Sequence, residues 1–586
     1  MKPALKKRLG DLLVDNQIIS DEQLQQALAD QKATGKKLGK TLISLNYISE
    51  TQLLTFLSQQ LNLPFIDISR RPISAEVVNL LPEVQARRFR ALVIEDMGDK
   101  VRVAMSDPAD LQALDALEAL LAPKAISLAV VPEQQLLTAF DNLYRRTQEI
   151  AQIAGELEQE YAADELFDLS SITDSDADNE TTVVKLLQSI FEDAVQMRAS
   201  DIHIEPGEKQ LRIRQRIDGQ LHETVLNEVH IALALVLRLK LMAGLDISEK
   251  RLPQDGRFHI DIRGHKIDVR ISTMPVYHGE SVVMRLLDQS AGLLTLDETG
   301  MPPAILARVR QQINRPHGML LVTGPTGSGK TTSLYGILSE LNTPYRKIIT
   351  VEDPVEYQLP RINQVQINHK IGLDFSGVLR ATLRQDPDII MVGEMRDQET
   401  VEIGLRGALT GHFVLSTLHT NDAVTSALRL LDMGAASYLV ASALRVIIAQ
   451  RLVRRVCKNC AVDTQLSHQD LMWLLNISNR DFSQATLKVG TGCQSCNGSG
   501  YHGRIGVFEM LEIDDELMDV MRSGDPQSFA LAAKNNPNFV PLAQSALDYL
   551  YQGLTTIEEV AKLVETVNDD TAPMTTPAAT VYEPEV

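Results

Sequence analysis

Apolar positions in the first sixty residues recur with a helical period, and the whole pattern then recurs once more. Arg8-Leu9-Gly10 leads to Leu13, Ile19, Leu24, Leu28 and Gln31. Starting 29 positions later, Lys37-Leu38-Gly39 leads to Leu42, Ile48, Leu53, Leu57 and Gln60. Each copy predicts a short helix, a turn at Ile19-Ser20 or Ile48-Ser49, and a second helix capped by that serine. From Leu63 to Tyr144 the pattern is mixed: Ala91–Ile94 and Val101–Met105 alternate like strands, and Asp110–Leu121 reads as a helix. A helix over Val184–Met197 then leads to Asp201-Ile-His-Ile-Glu205 and a hairpin from Leu211 to Gly219, with further strands near Phe258–Ile262 and Lys266–Ile271. From about Met301 short apolar strands alternate with helical stretches, as in a parallel α/β domain.

Length and composition narrow the class. The 586 residues predict three to five domains, and 44% hydrophobic content is enough to fill several cores. A net charge of -20 argues against binding a nucleic acid polymer through bulk charge. No apolar run reaches membrane-spanning length; the best, Ile231 to Leu245, is broken by Arg238 and Lys240. The opening Met-Lys-Pro-Ala-Leu-Lys-Lys-Arg lacks an apolar core behind it, so no signal peptide is expected. The cytoplasm is the expected compartment, with the membrane reached only through partners. Glu156 to Glu180 carries ten acidic residues and no basic one, which predicts a flexible linker. The Thr-, Pro- and Ala-rich end after about Asn568 predicts a disordered tail.

Candidate chemistry begins at Gly318-Met-Leu-Leu-Val-Thr323, a buried-strand pattern. It runs into Gly324-Pro325-Thr326-Gly327-Ser328-Gly329-Lys330-Thr331-Thr332 and a helical stretch to Leu341. Strand, glycine loop and helix are the context of a Walker A phosphate loop. The glycines let backbone N–H groups converge on phosphate, and the helix start adds about half a positive charge. Lys330 can bridge the β- and γ-phosphates of ATP, and the Thr331 hydroxyl can hold Mg2+. A glycine-rich turn that binds nothing is the alternative.

Hydrolysis needs a carboxylate at the end of a neighbouring strand. Asp388-Ile-Ile-Met-Val-Gly393-Glu394 supplies an apolar strand with Glu394 just beyond it, a candidate for positioning the attacking water. The plain alternative is a surface carboxylate. Glu352, Asp353 and Glu356 follow another strand pattern from Lys347; read as one loop, they would face magnesium or simply sit in a solvated turn. His412 and His419 flank the strand Phe413–Thr417, where they could sense the γ-phosphate or be satisfied locally.

These four boxes, at 324–332, 352–356, 388–394 and 410–421, resemble in order those of the type II and type IV secretion ATPases. Asp201-Ile-His-Ile-Glu205 and Arg214-Gln-Arg216-Ile-Asp-Gly219 are similar to that family's second N-terminal domain. The resemblance covers roughly residues 183 to 566. It implies a multidomain α/β chain with a RecA-like P-loop ATPase core that assembles as a hexamer against an inner-membrane platform protein. It also implies phosphate-contacting arginines, for which Arg216, Arg257, Arg270 and Arg285 are the candidates; each could equally be a surface ion-pair partner. A nucleotide-binding scaffold without turnover is a competing reading, against which Glu394 and the arginines speak.

All four cysteines fall in two CxxC pairs, Cys457/Cys460 and Cys493/Cys496, separated by 32 residues. Two such knuckles complete a four-thiolate tetrahedral Zn2+ site without an open position, hence a structural one; two disulfides or free thiols are the alternatives. The subdomain resembles that of assembly ATPases. Retraction ATPases generally lack it and carry an AIRNLIRE string, which is absent here. Extension is therefore favoured over retraction.

The N-terminal repeats, 8–31 and 37–60, are similar to the paired cyclic-di-GMP motifs of the MSHA-type pilus extension ATPases. On that resemblance Arg8 and Lys37 meet phosphate, backbone near Leu9-Gly10 and Leu38-Gly39 approaches it, Leu24, Leu28, Leu53 and Leu57 lie against guanine, and Gln31 and Gln60 pair polar edges. Three positions depart from the motif: Lys37 stands for arginine, Gln17 and Asn46 stand for the turn glycine, and Tyr47 stands for an aliphatic residue. The alternative is a docking module for another protein, as in a type II secretion motor. The expected organisation is a regulatory domain over 1–145, the linker over 146–182, an α+β domain over 183–295 and the ATPase domain over 296–455. The zinc subdomain over 456–505, a helical region over 506–567 and the tail over 568–586 complete it.

Overall fold

The computed structural model describes residues 9–34, 38–69, 71, 73–108, 110–144, 147–163, 177–290, 292, 294–478, 480–482 and 485–569. The chain forms two compact units. One comprises Met1–Ser290 with Cys457–Ala461 and Gly490–His502; the other comprises Ala291–Val456, Val462–Val489 and Gly503–Val586.

The first unit opens with the repeats as helices Leu9–Asp15, Asp21–Thr34, Leu38–Ser44 and Glu50–Leu61. The same local chemistry shapes both copies. Ser20 and Gln23 bond each other's backbone N–H reciprocally, as do Ser49 and Gln52, so each second helix starts on a capping box. Each first helix ends in paired backbone bonds, Ile18 N–H to Leu13 O with Gln17 N–H to Val14 O, and Tyr47 N–H to Leu42 O with Asn46 N–H to Ile43 O. That closure needs a left-handed residue, and Gln17 (φ 58°) and Asn46 (φ 57°) supply it. These are the two positions where the motif has glycine.

The α/β part follows with β1 (Ala91–Asp96), β2 (Lys100–Met105) and β3 (Ala125–Val130) in the order β1-β2-β3. The hairpin β1/β2 is antiparallel, and the helix Leu111–Leu121, capped by Asp110, makes the crossover to parallel β3. The expected flexible linker is corrected in part: Thr147–Ala163 is a helix. Its Ile150, Ala154 and Leu157 recur at helical spacing and are buried against Leu186, Leu187 and Ile190 of the helix Ala177–Gln196. The acidic side chains dominate the composition, but this apolar stripe decides the structure. Residues 164–176 lie outside the described residues.

A six-stranded antiparallel sheet completes this part of the unit. Its strands are β4 (Asp201–Pro206), β5 (Leu211–Ile217), β6 (Gln220–Leu226), β7 (Gln254–Ile262), β8 (His265–Val276) and β9 (Gly279–Asp288), ordered β6-β5-β4-β9-β8-β7. The β5–β6 turn places Asp218 (φ 47°) and Gly219 (φ 89°) in the left-handed conformation a two-residue hairpin demands.

The second unit is built on β10 (Gly318–Thr323), β11 (Ile348–Glu352), β12 (Asn363–Gln366), β13 (Ile389–Val392), β14 (Phe413–Leu418) and β15 (Leu444–Val456). The short β16 (Ala461–Asp463) and β17 (Lys488–Gly490) pair as a ribbon, and β18 (Tyr501–Glu512) returns to the main sheet. The order is β12-β11-β13-β14-β10-β15-β18, and the pairs from β12 to β15 are parallel. β10, β13 and β14 are buried along their whole length, which explains their predominantly apolar sequences. A parallel sheet with β10 between β14 and β15 presents its carboxyl ends as a shared crevice. The last helix, Ile557–Asp569, runs just past the expected start of the tail; residues 570–586 lie outside the described residues. Among the described residues no helix is long and apolar enough to cross a membrane.

Candidate active site

The carboxyl end of β10 opens into the glycine loop. Gly324 (φ 147°) lies so close to β15 that a Cβ there would meet Gln450 O at 2.4 Å. Gly329 (φ 87°) begins the helix Lys330–Leu341, which has no side-chain cap and no acidic residue in its first turn. Its first N–H groups are therefore left for another acceptor. Pro325, Thr326 and Gly327 are exposed, Ser328 is buried with an unbonded Oγ, and Thr331 and Thr332 are exposed at the helix start. The buried Lys330 donates Nζ–H to Gly324 O at 2.7 Å and Pro325 O at 3.1 Å, curled over its own loop. Burial pulls its pKa down to about 8, with Glu394 opposing and Arg451 reinforcing. Uncapped amides, an orphaned hydroxyl and a partly desolvated cation together fit a polyphosphate.

Glu394 follows β13 and faces this loop. Its carboxylate meets Arg396 Nη2 at 2.5 Å and His419 Nε2 at 3.5 Å. Burial, helped by Lys330, lowers the His419 pKa, against the pull of Glu394. Asn421 Oδ1 accepts from the buried Arg451 at 2.6 Å. The β10, β13 and β14 ends thus bring Lys330, Glu394 and His419 together. Arg396 and Arg451 were missed by the sequence reading. Arg396 stands two places after Glu394, and Arg451 sits on β15 behind the apolar run Val446–Ala449.

His412 is corrected. It sits before β14, at the opposite end from His419, with Nδ1 3.0 Å from Gly407 O. A six-residue strand is about 20 Å long, so both histidines cannot meet one phosphate within this chain. Glu352 is corrected too: it is not in the acidic loop but is the last residue of β11. It is 3% exposed and accepts from Tyr335 Oη and Thr350 Oγ1, each at 2.5 Å, and from Gln364 Nε2 at 3.1 Å. Three donors satisfy both of its oxygens and hold it inside the sheet. Glu356 is half-buried beyond it, where its backbone N–H reaches Tyr335 Oη at 3.3 Å. Asp353 pairs with His369 at 3.2 Å and, with Phe375 and Arg396, lines a cleft of about 520 Å³.

The four arginines belong to the first unit, where register explains their spacing. Arg257 opposes Arg270, Arg270 opposes Arg285, Arg285 opposes Asp201, and Asp201 opposes Arg216 across β7-β8-β9-β4-β5. Opposed residues share a face, so widely separated arginines form one row. Asp201 meets Arg285 at 3.2 Å and Arg216 at 3.7 Å, and Asp268 meets Arg257 at 2.6 Å.

Cys457, Cys460, Cys493 and Cys496 are buried, and their sulfurs all lie within 4.8 Å of one another. Cys457–Cys493, Cys493–Cys496 and Cys460–Cys496 are 3.6, 3.7 and 3.8 Å apart. Those spacings exclude disulfides, whose sulfurs touch at about 2.05 Å. They fit the edge of a tetrahedron of thiolates at about 2.3 Å from a zinc ion, which is about 3.8 Å. Burial raises the Cys493 and Cys460 thiols, the latter to about 11; at Cys496 burial is outweighed by N–H bonds from Cys493 and Gly500.

In the repeats, Arg8 and Lys37 lie outside the described residues. Leu24, Leu53 and Leu57 are 8%, 6% and 6% exposed and pack in the repeat core, whereas Leu28 is 40% exposed. Leu9 and Leu38 are half-buried, Gln31 is half-buried and Gln60 is exposed. Gly10 and Gly39 are crowded by leucines: a Cβ would meet Leu24 at 2.6 Å and Leu53 at 2.9 Å. Helix packing alone therefore accounts for both glycines.

Comparison with known proteins agrees with this architecture. The family model described as "Type II/IV secretion system protein" matches residues 176–562, and the "MshEN domain" model matches 61–150, next to the repeats. The "Type IV pilus assembly ATPase PilB" of Myxococcus xanthus is 40% identical over 557 residues, 94% of this chain and 98% of that protein. The "Type II secretion system protein HxcR" of Pseudomonas aeruginosa is 42% identical over 489 residues, 83% of this chain and 99% of that protein. A solved structure described as "Structure of MshE with cdg" is 57% identical over 24% of this chain and 100% of that one, with a TM-score of 0.23. Fold, site and relatives define a multidomain α/β ATPase. The chain belongs to the type II/IV secretion system protein family, and carries an MshEN domain.

Proposed function

We propose that the chain is a cytoplasmic, hexameric motor that hydrolyses ATP to drive pilus assembly, working against an inner-membrane platform protein. The observation that carries the ATP chemistry is the meeting of Lys330, Glu394 and His419 at the carboxyl ends of β10, β13 and β14. Lys330 clamps phosphate and Thr331 holds Mg2+. Glu394 orients the attacking water and takes up its proton as the bond to phosphorus forms. Its present bonds to Arg396 and His419 leave both partners positioned to release it when nucleotide enters. The arginine row, with Arg216, Arg257, Arg270 and Arg285, supplies phosphate contacts between subunits. The four thiolates hold one structural Zn2+, which supplies rigidity and no reaction step. Steady-state phosphate release by the full chain tests the motor; absence of magnesium-dependent turnover would reject it. Metal analysis of freshly reduced protein should give about one zinc per chain, and none in Cys493→Ser.

Assembly is favoured over retraction by the four-cysteine subdomain. Cyclic-di-GMP is proposed to bind the repeat segment and activate the motor, with Arg8 gripping phosphate through two charge-assisted bonds and Lys37 as a point charge. Exposed Leu28 and the polar edges of Gln31 and Gln60 support a ligand face; the inward leucines support the alternative, a partner-docking module of a type II secretion motor. Calorimetry of the full chain with cyclic-di-GMP decides between them. Saturable binding weakened by Arg8→Ala upholds the nucleotide; no heat at micromolar ligand, or equal binding by the variant, leaves docking.

A further inference from the structure

Glu509 lies on β18, outside every sequence motif discussed above, and is 3% exposed. A carboxyl buried that deeply is costly unless its oxygens are answered. Oε1 accepts the Ala423 N–H at 2.7 Å, and Oε2 accepts the Leu542 N–H at 2.8 Å. Ala423 and Leu542 are the first residues of the helices Ala423–Asp432 and Leu542–Tyr551. One side chain thus serves an orphan donor at each of two helix starts, where partial positive charge favours an anion.

The first of those helices follows directly on the loop 419–422, which carries His419 to Glu394. That loop is anchored on several sides. Arg451 of β15 holds Asn421 at 2.6 Å, and Thr420 Oγ1 lies 2.5 Å from Ser426 Oγ, which donates to Thr323 Oγ1 at the end of β10 at 3.0 Å. Glu509 adds the grip on the loop's far end, from the edge strand of the sheet.

We propose that Glu509 is a positioning residue for hydrolysis: by gripping the Ala423 amide it holds the loop 419–422 so that His419 meets Glu394. The proposal rests on the reading of Glu394 and His419 as the hydrolytic pair. Glu509 touches neither nucleotide nor water; it acts through the backbone. Only the ionised carboxylate can accept both N–H groups, since protonation turns one oxygen into a donor. Burial, against the two N–H bonds from Ala423 and Leu542, raises the group to about 7, with Asp422 at the helix start adding to the rise and Arg451 opposing it. The first turn of the helix Leu542–Tyr551 brings no acidic residue to it.

The test uses the full chain, measuring phosphate release and binding of a fluorescent ATP analogue on either side of pH 7. Glu509→Gln keeps the shape but points an amide donor at one of the two N–H groups. The turnover number should fall about tenfold, the effect of losing one charge-assisted bond, while nucleotide affinity changes less than about twofold. Wild-type turnover should decline as pH falls below about 7, and Glu509→Gln should lose that limb. Ala423→Pro leaves Glu509 intact and deletes the N–H it grips. Proline is accepted at a first helical position, and Asp422 already has the extended backbone (φ -143°, ψ 171°) required before it. It should reproduce the selective turnover loss, and it decides the matter should Glu509→Gln not fold. Glu394→Gln serves as the control. If it abolishes turnover while either folded variant turns over within about twofold of wild type, Glu509 is only a structural group and the proposal fails. If Glu394→Gln stays active, the hydrolytic reading falls and the proposal with it.

Discussion

The phosphate loop and the N-terminal repeats both carry a glycine-flanked motif with a basic residue, yet their folded surroundings differ in kind. At the loop, the glycines allow close approach to Gln450, but the polar motif side chains have little structural employment of their own. Ser328 Oγ is buried without a bond, Lys330 reaches only its own carbonyls, and the helix start lacks a cap. In the repeats, most described motif residues are already used. Gly10 and Gly39 admit Leu24 and Leu53, and Leu53 and Leu57 fill the core. A motif whose residues are idle in the folded chain points outward to a ligand; a motif whose residues are spent on packing is explained by the fold first.

The largest test of this contrast is at the loop. Lys330→Ala should reduce turnover by about 10³-fold or more, as for other phosphate-clamping cations, with no loss of folded protein. Glu394→Gln should leave nucleotide binding intact and lower turnover by about 10²–10⁴-fold, read by phosphate release against analogue titration. Near wild-type rates in either would place the loop with the repeats, as packing.

In the repeats the expected loss is of stability. Leu57→Asp buries a charge at a 6% exposed site and should cost about 3–5 kcal/mol locally, whereas Leu28→Asp at 40% exposure should stay within about 0.5 kcal/mol. Hydrogen exchange over residues 9–61 of the full chain reads both; equal effects would show that the two copies are not packed differently.

The regions should also differ in pH response. Among the described residues of the repeats the buried polar group is Thr41, which does not titrate, whereas the second unit buries Glu509. Its carboxyl is raised from 4.5 to about 7, so the folded chain holds that proton more tightly than the unfolded one. Its contribution to stability is full below about pH 4.5 and is lost as pH rises through about 7, a change of about 3 kcal/mol. Chemical denaturation of the full chain across that pH range should show this decline in wild type and not in Glu509→Gln.

The smallest expected effect is at the repeat turns. Gln17→Gly should stabilise the first repeat by about 0.5–1 kcal/mol, because Gln17 holds φ 58° against steric cost. Asn46→Gly should gain less, since asparagine tolerates that region better. No gain at Gln17 would show that other contacts offset the backbone strain.

Much of this was legible in the residues themselves. Helical period, serine caps and the 29-residue repeat fixed the N-terminal helices, because caps and turns are decided by neighbours in the chain. The order strand, glycine loop, helix located Lys330, and Glu394 was placed by the strand before it. Paired CxxC spacing foretold the sulfur cluster. What the sequence could not decide was which face each residue would meet. Glu352 closes β11 and Glu394 stands two residues past β13, yet one is enclosed by Tyr335, Thr350 and Gln364 while the other faces Lys330 and His419. His412 and His419 bracket one strand and lie at opposite ends of it. The arginine row exists only through the pairing of five strands, and Arg451 reaches the 419–422 loop, and Glu509 the helix start behind it, only because β15 lies beside β10 and β18 beside β15. Local pattern sets elements because its interactions span a few residues; a site joins groups tens to hundreds of residues apart, so strand order, register and burial had to settle it.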